Sequence, residues 1–196
     1  FREGLVDRFL VAASCGGLET LLILSKADLS TVSEIKPIKE LYSSLGCNVL
    51  VTSIPESRGL DSLRQLISCR TSVLSGHSGV GKSSLIAALF PDWGVRIGQV
   101  SNKSGKGLHT TIMAEMYPLP QGGYIVDTPG IREFSPLVKL EELDKHFVEF
   151  LPFLGQCKFK GCSHRHEPHC AVKEAVTTRK ITDQRYSSYC NLYDSL

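Results

Sequence analysis

Hydrophobic positions recur with two alternating periods over the first two thirds of the chain. Short apolar runs bounded by polar residues predict buried strands at 21–24, 48–53 and 71–75. Apolar residues spaced three or four positions apart predict helices at 35–45, 59–67 and 82–90. Because strands that alternate with helices form right-handed βαβ units, this pattern predicts an α/β domain with a mostly parallel sheet.

The pattern changes after the third predicted helix. Residues 92–111 show no period, and a stretch of this length without its own structure is usually functional. Residues 112–119 and 124–127 then predict two paired strands, which Gly122-Gly123 join.

No strand pattern remains beyond residue 136. Helical spacing returns at 141–154 and 183–196, on either side of a loop rich in cysteine and histidine. We therefore predict two domains, an α/β domain at 1–136 and a small, mostly helical domain at 137–196.

Composition and charge agree with this organisation. The 196 residues suffice for one full α/β domain plus a small appendage, and 42% hydrophobic with 21% charged residues is typical of a soluble globular protein. The longest apolar run is far too short to cross a bilayer, so we expect no membrane partner, and a monomer is the default expectation. The net charge of +2 predicts no strong attraction to nucleic acid, although residues 151–196 carry seven Lys/Arg against four Asp/Glu.

A phosphate-binding loop follows the third predicted strand. The pattern Gly-x4-Gly-Lys-Ser lets backbone N–H groups converge on phosphate oxygens at the start of a helix. Lys82 is expected to bridge the terminal phosphates, and the Ser83 hydroxyl to bind Mg²⁺. The candidate phosphate-binding residues are Gly76, His77, Ser78, Gly79, Val80, Gly81, Lys82, Ser83 and Ser84.

A candidate base-reading motif, Ser25-Lys26-Ala27-Asp28, ends the first predicted strand. The Asp28 carboxylate would accept hydrogen bonds from guanine, the Lys26 stem would cover the base, and Ser53 would add backbone contacts. A solvated strand end is the alternative interpretation of these four residues. In ordinary GTPases this motif follows the phosphate loop, whereas here it precedes the loop by about fifty residues. The order predicts a circularly permuted P-loop GTPase domain.

Residues for switching and hydrolysis are predicted further along the chain. Asp127-Thr128-Pro129-Gly130 has the Asp-x-x-Gly form, in which Asp127 supports Mg²⁺ and the Gly130 N–H senses the γ-phosphate. The next residue, Ile131, cannot orient a water. One of Thr110 and Thr111 is the candidate Mg²⁺ and γ-phosphate ligand, with Thr111 preferred, and His109 is the candidate residue to orient the attacking water.

Four residues near the C-terminus form a candidate zinc site. Three thiolates and one imidazole make up a closed tetrahedral set without a position for water, which favours one structural Zn²⁺. Free thiols in a loop are the alternative. The remaining four of the seven cysteines are predicted to be buried thiols in a reducing compartment. The candidate zinc ligands are Cys157, Cys162, His164 and Cys170.

Taken together, these motifs resemble the ribosome small-subunit-dependent GTPase A family (RsgA, also called YjeQ). The resemblance rests on the motif order, on GHSGVGKSS, GLHTT and DTPGIREF, and on C-x4-C-x-H-x2-E-P-x-C-A-V. It implies Mg²⁺-dependent GTP binding and slow hydrolysis to GDP, which the small ribosomal subunit and its rRNA stimulate late in subunit maturation. It also implies His109 as the catalytic residue and Cys157, Cys162, His164 and Cys170 as the zinc ligands.

The chain departs from this family in two respects. Ser25 replaces the usual asparagine of the guanine motif, and we expect the family's N-terminal RNA-binding OB-fold to be lacking, either cut away or naturally absent. We expect a bacterial cytoplasmic protein, with a plastid or mitochondrion as the alternative. Competing interpretations are an RNA-binding module gated by nucleotide, with incidental hydrolysis, and a small-molecule phosphotransferase.

Overall fold

The elements around the phosphate loop follow the predicted alternation. The structure, a computed structural model, describes residues 1–77, 79–93, 115–127 and 138–196. Its α-helices are α1 (Glu3–Cys15), α2 (Val32–Ser44), α3 (Leu60–Ile67), α4 (Lys82–Leu89), α5 (Ala171–Thr177) and α6 (Asp183–Ser195). Its strands are β1 (Leu21–Leu24), β2 (Asn48–Val51), β3 (Arg70–Leu74), β4 (Glu115–Pro118) and β5 (Gly123–Asp127).

The strands form two sheets. In the first, β1 pairs in parallel with β2, so that Leu21 lies opposite Asn48. In the second, the order is β3-β5-β4. Here β3 and β5 are parallel and β4 is antiparallel to β5, as the predicted turn at Gly122-Gly123 requires. The strands beside the candidate motifs are thus parallel to a neighbour in their sheet, β1 to β2 and β3 to β5.

By its contacts, the chain divides into two units. The phosphate-loop unit comprises Leu21–Arg132, and the terminal unit comprises Phe1–Thr20 together with Glu133–Leu196. The sequence pattern predicted domains at 1–136 and 137–196, and that division stays a prediction. Each unit has a core of its own.

The core of the phosphate-loop unit lies between its helices and sheets. Helices α3 and α4 bury one apolar face each, and β-strand residues pack against them from both sheets. The shared core fixes the ends of β1 and β3, which carry the two predicted nucleotide motifs. Its buried members are Leu60, Leu63, Ile67, Leu85, Ile86, Leu89, Leu119 and Ile125.

The terminal unit differs from the sequence prediction at 141–154. In place of one continuous helix, two 3-10 helices span Leu140–His146 and Val148–Phe153, with Phe147 in an extended conformation between them. Pro152 has no N–H for an α-helical bond. Apolar residues at 147, 150 and 153 also repeat every three positions, which suits the period of a 3-10 helix.

Helix α1, for which the apolar pattern gave no prediction, belongs to the terminal unit. Val11 is fully buried in that unit's core with Phe147, Phe150 and Tyr189. The Arg185 guanidinium on α6 lies 2.5 Å from Asp7 Oδ1 and 2.6 Å from Glu149 Oε1. Both ends of the chain thus contribute to one core.

None of the helices in the described part of the chain combines the length and apolar character needed to cross a bilayer.

Candidate functional site

The phosphate loop lies between β3 and α4, where the sequence motif requires it. Gly79 and Gly81 have φ of 83° and 94°, in the left-handed region that favours glycine. Gly81 immediately precedes α4, so the free N–H groups of the helix start face the loop. The Lys82 ammonium donates to the carbonyls of Gly76 (2.6 Å) and His77 (3.1 Å), and its side chain therefore curls over the loop.

Two hydrogen bonds join the candidate base-reading motif to this loop. The Ser25 hydroxyl donates to the Val80 carbonyl at 2.8 Å, and the Lys26 ammonium donates to the Gly79 carbonyl, also at 2.8 Å. Residues about fifty positions apart in the sequence are thereby brought together. The short Ser25 side chain still reaches the loop, although the usual residue at this position is longer.

The end of β2 supports the same motif from its other side. The Ala27 N–H donates to the Thr52 carbonyl at 3.0 Å. The fully buried Ser53 donates its hydroxyl to Asp28 Oδ1 at 2.7 Å, while the Asp28 carboxylate itself is exposed. The sequence predicted backbone contacts from Ser53 to the base. The structure adds a side-chain hydrogen bond from Ser53 to Asp28. Spacing alone cannot reveal that bond, because the two residues follow different strands.

The strand before the Asp-x-x-Gly motif ends beside the phosphate loop. In the parallel pair of β3 and β5, Asp127 lies opposite Leu74. The carboxyl ends of these strands therefore meet at one edge of the sheet, where α/β proteins bind ligands. Among the predicted site residues, those outside the described part of the chain are Ser78, His109, Thr110, Thr111 and Gly130.

The cysteine and histidine residues of the C-terminal loop converge into one cluster. The ligand atoms of all four predicted residues lie within 4.8 Å of one another. Cys157 Sγ lies 3.8 Å from Cys170 Sγ, and His164 Nδ1 lies 3.5 Å and 3.3 Å from these two sulfurs. Tetrahedral zinc bonds of about 2.3 Å to sulfur and about 2.0 Å to nitrogen place ligand atoms roughly 3.5–3.8 Å apart. The donor set and its spacing therefore fit a metal ion of this kind.

Carboxylates hold the cluster in this arrangement. His164 is buried, and its Nε2 lies 3.2 Å from Asp144 Oδ2, so the Nε2–H donates to the carboxylate while Nδ1 faces the sulfurs. Glu167 accepts from the backbone N–H and hydroxyl of Ser163 at 2.9 Å and 2.8 Å. The Ser163 N–H is the main reason why the pKa of Glu167 falls to about 2.

Two tyrosines of helix α6 donate hydrogen bonds to backbone carbonyls of the same loop. The Tyr186 hydroxyl donates to the His164 carbonyl at 2.7 Å, and the Tyr189 hydroxyl donates to the Ser163 carbonyl at 2.9 Å. The sequence did not predict these contacts, because nothing in local spacing links the tail helix to the loop.

Burial raises the pKa of two cluster thiols. The pKa of Cys162 rises to about 12, with burial as the main cause, and burial also raises the pKa of Cys170. Without a metal these thiols keep their protons at neutral pH. Metal binding must therefore release protons, as is general for thiolate sites.

The cysteines outside the cluster differ from the prediction of four buried thiols. Cys47 is buried and Cys190 is partly buried, but Cys15 and Cys69 are exposed. Cys15 ends α1 at the surface, and Cys69 lies in the turn before β3 with a left-handed backbone. Apolar neighbours in the sequence therefore did not indicate burial at these two positions.

Comparisons with known proteins relate the chain to one family of GTPases. A family model described as RsgA GTPase matches residues 1–136. The "Small ribosomal subunit biogenesis GTPase RsgA" of Chlorobaculum parvum is 45% identical over the whole chain, and that of Chromohalobacter salexigens is 45% identical over 98% of it. The chain spans 63% and 57% of the lengths of these two relatives.

Two solved structures share the fold over the entire chain. YjeQ from Thermotoga maritima has a TM-score of 0.77 at 33% identity, and this chain covers 66% of it. YloQ, described as a circularly permuted GTPase, has a TM-score of 0.73 at 30% identity, with 63% covered.

Proposed function

Because this chain belongs to the RsgA GTPase family, we propose that it binds GTP, hydrolyses it to GDP and phosphate, and serves late in assembly of the small ribosomal subunit. The subunit and its rRNA are the proposed partners and stimulate turnover. The names of the relatives support this partner, while the chain spans only part of their length. We further propose that the protein acts as a monomer in a bacterial cytoplasm.

The observation that carries the proposal is the junction of the base-reading motif with the phosphate loop. The bonds from Ser25 to Val80 and from Lys26 to Gly79 hold the two motifs together, and Ser53 orients Asp28. An exposed carboxylate in this position can accept from the N1–H and amino group of guanine. Adenine lacks donors in those places, so the site favours GTP over ATP.

The phosphate end of the site uses charge and backbone donors. Lys82 would exchange its loop carbonyls for the β- and γ-phosphates, and the helix start would add its partial positive charge. Ser83 and Thr111 would hold Mg²⁺, with Asp127 supporting it. Bound Mg²⁺ would neutralise charge on the phosphate oxygens.

For hydrolysis we propose His109 as the residue that orients the attacking water, because the isoleucine after Gly130 cannot. Replacing His109 by alanine should lower turnover about 100-fold or more, on the scale of general acid–base contributions, and leave GTP affinity nearly unchanged. Single-turnover hydrolysis and equilibrium binding of a non-hydrolysable GTP analogue measure the two effects. Equal turnover by the variant would contradict this role.

In the terminal unit we propose one structural Zn²⁺ on Cys157, Cys162, His164 and Cys170. The ligand spacing and the Asp144 contact support it. The ion would join the loop to the small core and take no part in GTP chemistry.

Turnover of GTP and ATP by the chain, with and without purified small ribosomal subunits, tests the proposal. We expect the subunits to accelerate GTP hydrolysis, and we expect ATP to be hydrolysed more slowly than GTP. Preference for ATP would overturn the guanine assignment. Hydrolysis of GTP that the subunits leave unchanged would contradict the proposed partner for this chain.

A further inference from the structure

The residue that follows β2 carries a buried hydroxyl group without a hydrogen-bond partner. Thr52 is 1% exposed, and its Oγ1 forms no hydrogen bond within the described part of the chain. Buried side-chain oxygens of this kind are rare in folded proteins, because an unpaired polar atom is costly away from water. Thr52 therefore marks an unfinished contact beside the candidate base-reading motif.

The strand register places this hydroxyl next to Ser25. In the parallel pair of β1 and β2, Leu24 lies opposite Val51. The next residues along, Ser25 and Thr52, are therefore opposite each other as well. The backbone continues this pairing, since the Thr52 N–H donates to the Leu24 carbonyl at 2.9 Å and its carbonyl accepts from the Ala27 N–H at 3.0 Å. Opposite residues of a sheet have their side chains on one face, at a strand spacing of about 4.8 Å.

The Ser25 side chain is too short to pair with two groups. Its hydroxyl has one proton, which it donates to the Val80 carbonyl of the phosphate loop at 2.8 Å. The face that Ser25 and Thr52 share is therefore the one toward that loop. The Ser25 oxygen could still accept from Thr52, but Thr52 Oγ1 does not reach it.

We propose that Ser25 and Thr52 form an incomplete joint that shortens the time for which a guanine nucleotide stays bound. The missing contact leaves the base-reading segment with freedom that a bound base has to remove, and this ordering lowers affinity. An asparagine amide at position 25, which has both donors and an acceptor on a longer stem, would pair with the Val80 carbonyl and the Thr52 hydroxyl together. The inference rests on the proposed function, because it takes guanine nucleotides as the ligand.

A double-mutant cycle on the nucleotide-free full chain tests the joint itself. Ser25→Asn should favour folding more in the presence of Thr52 than in a Thr52→Val background, because valine keeps the branched shape and lacks the hydroxyl. The difference should be about 2- to 10-fold in the folding constant, the scale of one neutral hydrogen bond. Urea unfolding followed by Trp93 emission measures it, since this single tryptophan lies in the phosphate-loop unit.

The single substitution Thr52→Val gives a measurement that does not depend on the asparagine variant. Removal of an unpaired buried hydroxyl should leave the folding constant unchanged or raise it. A clear fall would show that the hydroxyl is already paired and would overturn the proposal. Additive effects of Ser25→Asn and Thr52→Val in the cycle would do the same.

The effect on nucleotide release is measured by chasing a bound fluorescent GDP derivative with excess GDP in the presence of Mg²⁺. Ser25→Asn should slow dissociation about 2- to 10-fold and leave the association rate nearly unchanged. The slowing should be lost in the Thr52→Val background and kept with Thr52→Ser, which restores a hydroxyl. Ser30→Asn is the matched control, because Ser30 is exposed and follows the same motif, and it should change neither rate.

The two arms separate failure of the joint from failure of the proposed function. Equal slowing by Ser25→Asn with and without the Thr52 hydroxyl would overturn the joint, although the chain binds GDP. A chain that couples positions 25 and 52 in the folding cycle but binds an ATP derivative more tightly than the GDP derivative would contradict the proposed function and, with it, the role of the joint in guanine nucleotide release.

Discussion

At the scale of single residues, the Ser25 hydroxyl connects the candidate base-reading motif to the phosphate loop. Its bond to Val80 is one neutral hydrogen bond, which contributes about 0.5–1.5 kcal/mol. Ser25→Ala should therefore weaken GTP binding about 2- to 10-fold and reduce the ratio of GTP to ATP affinity. Calorimetric titration with both nucleotides measures the change.

A serine in the same turn provides the matched control for Ser25. Ser30 is exposed and lies just after the 3-10 helix Ala27–Leu29. Ser30→Ala should leave both affinities unchanged. If Ser25→Ala keeps the full GTP preference, the hydroxyl does not position the motif.

Asp144 contacts the Cys/His cluster from outside the four candidate metal ligands. Its carboxylate accepts the Nε2–H of His164 and so fixes the ring with Nδ1 toward the sulfurs. Removal of such a partner typically costs 10- to 100-fold in metal affinity. Asp144→Ala should thus release zinc at a lower concentration of competing chelator, as a chromogenic zinc indicator reports.

Replacing Asp144 by the isosteric asparagine separates the effect of hydrogen-bond geometry on zinc affinity from that of the carboxylate charge. Asp144→Asn keeps an oxygen that can accept the Nε2–H, so its zinc affinity should fall between those of the alanine variant and the unaltered chain. Unchanged affinity in both variants would mean that packing alone orients His164.

The sequence indicated candidate residues for both sites, but it did not indicate the contacts between those residues. The ligand residues of the cluster stand close together in sequence, and their convergence agrees with the predicted metal site. The bonds of Ser53 to Asp28 and of Asp144 to His164 instead join distant segments. A single sequence holds no spacing that could indicate them.

At the scale of elements, a buried ion-pair group joins α1 to α6. Burial would lower the pKa of Arg185, but its pairs with Glu149 and Asp7 raise that pKa above the ordinary value. Asp7→Ala leaves part of this buried charge without its counterion, which costs about 3–5 kcal/mol in comparable sites. Urea unfolding followed by circular dichroism should show the loss.

Arg8 is the neighbouring residue for comparison. It donates to the Ser195 hydroxyl at 3.1 Å in an exposed position. Arg8→Ala should change the free energy of unfolding by less than about 0.5 kcal/mol. Equal stabilities of the Asp7 and Arg8 variants would show that α1 is not held through its buried carboxylate.

The predicted fold class is confirmed, a circularly permuted P-loop GTPase domain followed by a small helical region with a cluster of three cysteines and one histidine. Strand β1 matches its predicted range because four apolar residues stand between polar ones. Helix α1 escaped prediction, and the segment at 141–154 forms two 3-10 helices. Both segments belong to the core of the terminal unit. There, contacts between distant segments determine secondary structure more than the local spacing of apolar residues does.

At the scale of the whole molecule, the chain contains two cores, and we expect each to respond to a different ligand. Removal of zinc should unfold much of the terminal unit, because metal binding contributes directly to the folding of such small domains. The single tryptophan, Trp93, lies in the phosphate-loop unit and stacks on Phe90 with ring centres 4.2 Å apart. A strong chelator should reduce the helical circular dichroism and leave Trp93 emission unchanged.

Readdition of zinc should restore the helical signal, and a chelator saturated with zinc should have no effect. Full circular dichroism after complete metal removal, verified by elemental analysis, would show that the terminal core folds without the ion.

The sheets of the phosphate-loop unit also bear on how the protein behaves in concentrated solution. In the described part of the chain, β1 has β2 as its one ladder neighbour, and β3 has β5. A strand with an open side offers a row of backbone donors and acceptors to any extended chain. A net charge of +2 supplies little mutual repulsion between molecules. We therefore expect colloidal stability to depend on the borders of the sheets, where one molecule can extend the ladder of another.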